Sequence, residues 1–256
     1  MVAMIATDPT TVWIGRHPII DHLVDHLDAC YRNPPQESPW RTKDRRGWFG
    51  ASSLKSKKKG ASFPYSPRRM MKEYLGLAEP LVWNEALWFG TYFDMVTDAA
   101  LQTWDRTIET QPVFCRPELH FRVTPDLLFD DCGLDAPADV KALMFFAWRW
   151  LADPDYDPRG LYFYRQLQSQ AWCAGSDSVY AIGYKRDDKT NPVELHRVPK
   201  NDLRRRFVVR RIERDDACIA DIQRDLRYLC DKLPACEAAL ASGDPAALEL
   251  ALPVDI

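Results

Sequence analysis

Apolar residues at three- and four-residue spacing mark the first helices of the chain. Ile19, Ile20, Leu23, Val24 and Leu27 predict an amphipathic helix over 17–31 with one buried side. A second helix is expected from Ser66: Pro67 suits a first turn, Met70, Met71, Tyr74 and Leu75 form a stripe, and Gly76 ends it. A longer one follows from about 82 to 103, apolar through Leu87, Phe89, Phe93, Val96 and Leu101. The pattern then shortens to strand-like segments at 113–123, 124–129 and 138–145, the last two separated by a stretch dense in turn formers, 130–137. Residues 144–151 are very aromatic, 153–160 read as a loop, and 162–174 as a helix. A strand is expected at 179–184, with further strand candidates at 194–198 and 206–211. A charged amphipathic helix spans 215–233, and an alanine-rich, short-helical tail closes the chain. Helix, strand meander, helix and strand in this order predict an α/β (α+β) fold with a mixed central β-sheet flanked by helices.

At 256 residues the chain suffices for one large domain with decoration. The proline-rich run 33–39 divides it into an N-terminal helical extension (1–40), a main domain (41–234) and a C-terminal helical tail (235–256). Seven cysteines, odd in number and without a Cys-x-x-Cys pair, argue against a disulfide framework and a zinc ribbon. A reducing cytoplasm is the expected setting. The N-terminus lacks the basic start and apolar core of a signal peptide, and the longest apolar run, 142–148, is too short to cross a membrane.

Net charge is −3, yet positive charge is concentrated. Arg41, Lys43, Arg45, Arg46, Lys55, Lys57, Lys58, Lys59, Arg68, Arg69 and Lys72 crowd one segment, interleaved with Trp40, Trp48, Phe49, Phe63 and Tyr65. Cations with aromatics can neutralise phosphates and stack on bases, or form a solvated loop with anchoring rings. His22 and His26 stand four apart, a zinc-site spacing, but no third ligand signature or His-Glu-x-x-His accompanies them.

The sharpest candidate chemistry lies in Pro125-Asp126 and Asp139-Val140-Lys141. In a strand, Asp139 and Lys141 point to one face while Val140 points into the opposite, apolar layer. If the two segments are antiparallel neighbours, Asp126 joins them. Two carboxylates and a lysine suit a hard divalent cation with waters left on it, the lysine orienting a water or offsetting charge on phosphate. Asp and Lys two apart are also a common solvent-facing pair.

With Gly90 and Asp94 four residues apart on the long helix, Pro125-Asp126, Asp139-Val140-Lys141 and Gln166 on the following helix, residues 48–232 resemble the PD-(D/E)XK nuclease superfamily. The likeness is to the branch of lambda exonuclease, YqaJ-type recombinases and RecB-like domains. Ser66-Pro67-Arg68-Arg69 is similar to a Cys-Pro-Arg-Arg segment of RecB-like domains. The resemblance implies a restriction-endonuclease-like core and Mg²⁺-dependent hydrolysis of DNA, with Mn²⁺ able to substitute. Asp126, Asp139 and the carbonyl of Val140 would be ligands, Asp94 would act directly or through water, and Glu118 would be an extra acid unless it pairs with Arg116 or Arg122 on the surface. Lys141 and Gln166 would complete the catalytic set. Arg45, Arg46, Lys57, Lys58, Lys59, Arg68, Arg69, Tyr164 and Arg165 would contact DNA. Serine in place of cysteine at Ser66, and only Cys230 and Cys236 near the C-terminus, leave no iron-sulfur ligand set. An exonuclease of phage-type recombination or repair is expected, with a single-strand annealing or binding protein and self-assembly as possible partnerships and no membrane. A restriction-like or structure-specific endonuclease, or a silent DNA-binding adaptor on the same fold, are the alternatives.

Overall fold

The computed structural model describes residues 12–32, 46–54, 66–78, 85–187 and 197–254. It is a mixed α/β structure around a six-stranded sheet, with eight α-helices among the described residues. The strands are β1 (Val12–Ile14), β2 (Phe49–Gly50), β3 (Thr107–Thr110), β4 (Phe114–Arg116), β5 (Phe121–Val123), β6 (Leu127–Asp131), β7 (Leu134–Leu143), β8 (Ser178–Lys185) and β9 (Phe207–Glu213). The helices are α1 (Pro18–Arg32), α2 (Pro67–Tyr74), α3 (Glu85–Leu101), α4 (Phe145–Ala152), α5 (Tyr164–Ala174), α6 (Lys200–Arg206), α7 (Asp216–Ser242) and α8 (Pro245–Ala251). The main sheet runs β1-β9-β8-β7-β6-β3, antiparallel except where β7 pairs parallel with β8. A crossover between parallel neighbours needs a long connection, and α4 and α5 provide it.

Period-two alternation along β7 decides what lies above and below the site. Ala136, Ala138 and Val140 face a core built with α1 and α3, including Ile20, Leu23, Phe93 and Val96. Leu143 joins the core on the other face with Leu151 of α4 and Leu167 and Ala171 of α5. A third core binds α2, α7 and the small sheet β2-β5-β4, through Met71, Phe121, Ile222 and Leu229.

Helix positions follow the periodicity, but several boundaries move. The segment expected as one strand, 113–123, is broken into β4 and β5 by a short helical turn at Pro117–Leu119, with His120 at φ 48°. The two halves fold back on each other as an antiparallel pair. The turn-rich stretch 130–137 is mostly strand: Asp131 pairs with Leu134, and only Cys132 and Gly133 turn, at φ 57° and 89°. Such a two-residue loop with both φ positive matches strand twist. Residues 12–32 are not an appendage, because β1 pairs with β9 and the apolar side of α1 is buried in the main core. The helix expected to end at 233 continues past Pro234 to Ser242, since Pro234 is exposed and the carbonyl it frees can meet water. Cys236 and Leu252 are then buried in the third core, so the tail packs rather than trails. Lys200–Arg206 is helical, and the strand candidate at 194–198 falls largely outside the described residues. No helix among the described residues is long and apolar enough to cross a membrane.

Candidate active site

Asp126 stands one residue before β6, at the point where its ladder with β7 ends. Its N–H donates to the Ala138 carbonyl at 3.0 Å, and its Oδ2 accepts from the Val140 N–H at 2.6 Å. A side-chain carboxylate thus replaces the strand carbonyl that would have continued the ladder, which fixes Asp126 beside Asp139. Val140 is buried in the main core, while Asp139 and Lys141 lie on the opposite face, under α5. Asp139 is 1% exposed, and its Oδ1 accepts from Gln166 Nε2 at 3.1 Å and Gln170 Nε2 at 2.9 Å. Its other oxygen pairs with the Lys141 ammonium, which also donates to the Val140 carbonyl at 3.4 Å. Gln166 and Gln170 reach the same atom because residues four apart share a helix face.

Charge in this corner is unbalanced. Burial pushes the Asp126 carboxyl well above its usual range; Asp139 and Asp94 add to this, while Lys141 and the Val140 N–H oppose it. Burial likewise pushes Asp94 up to about 7, with Lys141 opposing and Asp139 and Asp98 reinforcing. For Lys141, burial works against the ammonium, but Asp139, Asp126 and Asp94 outweigh it and hold its pKa above the ordinary value. One lysine therefore faces three mutually repelling carboxylates.

The pH dependence has a definite sign. Asp94 titrates near 3.8 when exposed and about 7 in the fold, so between these values the native state binds more protons and stability falls as pH rises. Thermal denaturation in chelator should show wild type losing stability through this window and Asp94→Asn losing less. A divalent cation should restore wild type at the alkaline end and do little at the acid end.

Two carboxylates and a backbone carbonyl are the oxygen donors that a hard divalent cation takes. Oε1 of Gln170 is buried and has no hydrogen-bond partner, which leaves acceptor capacity at this point, while Oδ2 of Asp139 is engaged by the Lys141 ammonium. Among the described residues no three His, Cys, Asp or Glu side chains could hold one ion together. Asp126 and Asp139, with the buried Asp94 close enough for its charge to act on both, are the carboxylates that such an ion would draw on.

Other expected site residues lie elsewhere. Glu118 is exposed on the turn that breaks β4 from β5, beside Leu119, Trp172 and Arg227, and is not brought to the cluster. Arg116 is not its partner; it donates to the Trp172 carbonyl at 2.8 Å and lies over that ring. Tyr164 donates to Asp215, the cap of α7, at 3.0 Å. Arg165 forms an ion pair with Asp225 at 2.6 Å and is 8% exposed, so the α5–α7 seam occupies both side chains. Arg69 pairs with Glu73 on its own helix and Arg68 with Glu249 of α8. Arg46 lies against Gly76 at the end of α2. Arg45, Lys57, Lys58 and Lys59 fall outside the described residues. His22 and His26 stack at 4.0 Å, and His22 Nε2 is bonded to the Ala100 carbonyl, a helix–helix contact.

Two residues join the site without having been assigned to it. Gln170 was legible only as sharing a face with Gln166. Tyr162 had no signal beyond its place before the glutamine helix; it is 52% exposed and near enough to Lys141 and Asp139 for their charges to act on its hydroxyl. Gln170→Ala should weaken the hold on Asp139 and lower activity or cation affinity by about 10–100-fold, as loss of an orienting partner does. A raised Mg²⁺ requirement in the activity assay would be its signature.

The same arrangement of elements occurs in two solved structures. One is an alkaline exonuclease (LHK-Exo) from Laribacter hongkongensis, with a TM-score of 0.53 and 20% identity, covering 78% of this chain and 94% of that one. The other is LHK-Exo in complex with dAMP, with a TM-score of 0.53 and 24% identity, covering 80% and 96%. This chain shares its fold with that exonuclease. No family model and no curated protein matches the sequence.

Proposed function

We propose that the chain is a divalent-cation-dependent deoxyribonuclease that hydrolyses phosphodiester bonds at the Asp126–Asp139–Lys141 cluster. The observation that carries this reading is the convergence, where the β6–β7 ladder ends, of two buried carboxylates that repel each other and a lysine held charged beside them. Asp126, Asp139 and the Val140 carbonyl would hold the cation, Mg²⁺ with Mn²⁺ as a substitute. When bound, it would polarise the scissile phosphate and acidify a water. Lys141 would orient that water and offset charge growing on the phosphate. Gln166 and Gln170 keep Asp139 aimed; Asp94 would anchor a water of the cation's shell. Tyr162 borders the entrance where a strand would pass.

The exonuclease fold favours an end-dependent enzyme acting in recombination or repair, with DNA as substrate and a single-strand annealing or binding protein as a natural partner. End-labelled linear duplex and closed circular DNA, incubated side by side with Mg²⁺, test this. Loss of linear DNA alone is the expected result. Cleavage of the circle would make the enzyme an endonuclease, and binding of either DNA without cleavage would make it an adaptor on a nuclease fold.

A further inference from the structure

Met144, Phe145 and Phe146 are three consecutive large apolar residues with 49%, 47% and 66% of their surfaces exposed. They begin three positions after Lys141, where β7 passes into α4. Trp150, one turn beyond Phe146, is 41% exposed with one face stacked on Tyr156 at 5.5 Å, and the exposed Tyr162, near enough to the cluster for Lys141 and Asp139 to act on it, adds a further ring. A run of this kind is a liability unless a ligand uses it.

Packing does not explain it, because α4 is anchored by other residues. Leu143 and Leu151 are buried on the sheet, and Gly183, which pairs with Lys141 across the parallel ladder, has no side chain in their way. A Cβ at Gly183 would lie 2.7 Å from Leu151 Cδ2 and 3.0 Å from Leu143 Cδ1. This close approach seats α4 on the sheet, with Trp148 packed against the core and donating its Nε1–H to the Arg206 carbonyl at 2.8 Å, while Phe145, Phe146 and Trp150 stay exposed. Cations border the rings: Lys185 Nζ lies 5.0 Å from the Phe145 centroid and 5.7 Å from that of Trp148, and Arg149 is exposed on the same helix.

Rings facing solvent beside ammonium and guanidinium groups match the chemistry of single-stranded nucleic acid, whose bases stack on aromatics while its phosphates meet the cations. We propose that the Met144–Phe146 surface, with Trp150 and Tyr162, is a stacking platform for unpaired bases of the strand that reaches the Asp126–Asp139–Lys141 cluster, which rests on the nuclease reading of that cluster. The enzyme would thereby hold single-stranded DNA next to the site of hydrolysis, and the Lys185 ammonium over Phe145 with the exposed Arg149 favours a polyanion there over a second copy of the chain.

The test measures three quantities on wild type, Phe146→Ala and Phe145→Ala/Phe146→Ala. The first is affinity, in chelator, for a dye-labelled oligothymidylate and for an abasic oligomer of the same length. The second is cation-dependent hydrolysis of bis(p-nitrophenyl) phosphate, which has no bases to stack. The third is mass in solution. The double variant should bind oligothymidylate about tenfold or more weakly, in line with stacking energies per base. It should lose the preference over the abasic oligomer, with ester hydrolysis and mass unchanged, and Phe146→Trp should keep wild-type binding. Equal oligothymidylate affinity in wild type and double variant overturns the platform, and a lower mass at equal affinity would assign the surface to contact between copies instead. Absence of ester hydrolysis in wild type would remove the nuclease reading, while a base preference that depends on Phe145 and Phe146 would still uphold the platform.

Discussion

Lys141→Ala is expected to lower hydrolysis by on the order of 10²–10³-fold or more while DNA binding survives. Losing one preorganised group that meets developing charge costs this much in other hydrolases, and Lys141 also holds the carboxylates together. Its ammonium pairs with Asp139 and opposes the upward push on Asp94 and Asp126. Without it, those carboxylates repel each other with less compensation, so the variant without cation should also lose more stability than wild type as pH rises. Saturating Mg²⁺ should return most of that stability and none of the activity. Single-turnover cleavage at saturating cation measures the chemical defect apart from the binding defect. Asp126→Ala and Asp139→Ala should be equally inactive. Wild-type rates in any of the three would remove the cluster from the chemistry.

Asp225→Ala should cost about 3–5 kcal/mol of stability with no direct effect on chemistry, because it leaves the Arg165 guanidinium buried without its carboxylate. In a chain of this size that is a fall of roughly 6–20 °C in melting temperature. The pair itself is not strongly favourable: burial pushes the Asp225 carboxyl up despite the adjacent guanidinium, and Arg165 Nε has no hydrogen-bond partner. Replacing both charges, Arg165→Met with Asp225→Leu, should therefore recover most of the loss. Chemical denaturation of the single and double variants checks this, and cleavage by the double variant should stay near wild type. Lost cleavage with unchanged stability in Arg165→Met would instead return Arg165 to the phosphate-binding role expected of it.

The sequence carried the elements whose physics is local. The stripes of α1, α2 and α3 are legible because each buries one side, and the Asp139-Val140-Lys141 alternation is legible because β7 sends Val140 into the main core and turns Asp139 and Lys141 to the other face. The break at Pro117 was missed because the pattern around it remains strand-like; a proline after Arg116 was the available clue. Helix α7 outran its expected end because an exposed proline is compatible with a helix whose buried side, through Leu233 and Cys236, continues past it. Gln166 was placed by motif, but Arg165 and Tyr164 were carried along by adjacency, and on a helix adjacent residues point about 100° apart. That rotation sends them to α7 and leaves Gln166 and Gln170 facing Asp139.

The measurement that bears most directly on the central claim is hydrolysis of an end-labelled linear duplex by chelator-treated wild-type protein as Mg²⁺ is added back, with Asp139→Asn beside it. Hydrolysis that is absent in chelator, returns with Mg²⁺ and never appears in Asp139→Asn is the predicted result. Hydrolysis that persists in chelator, or that Asp139→Asn retains, would contradict a cation-dependent nuclease centre at Asp126, Asp139 and Lys141.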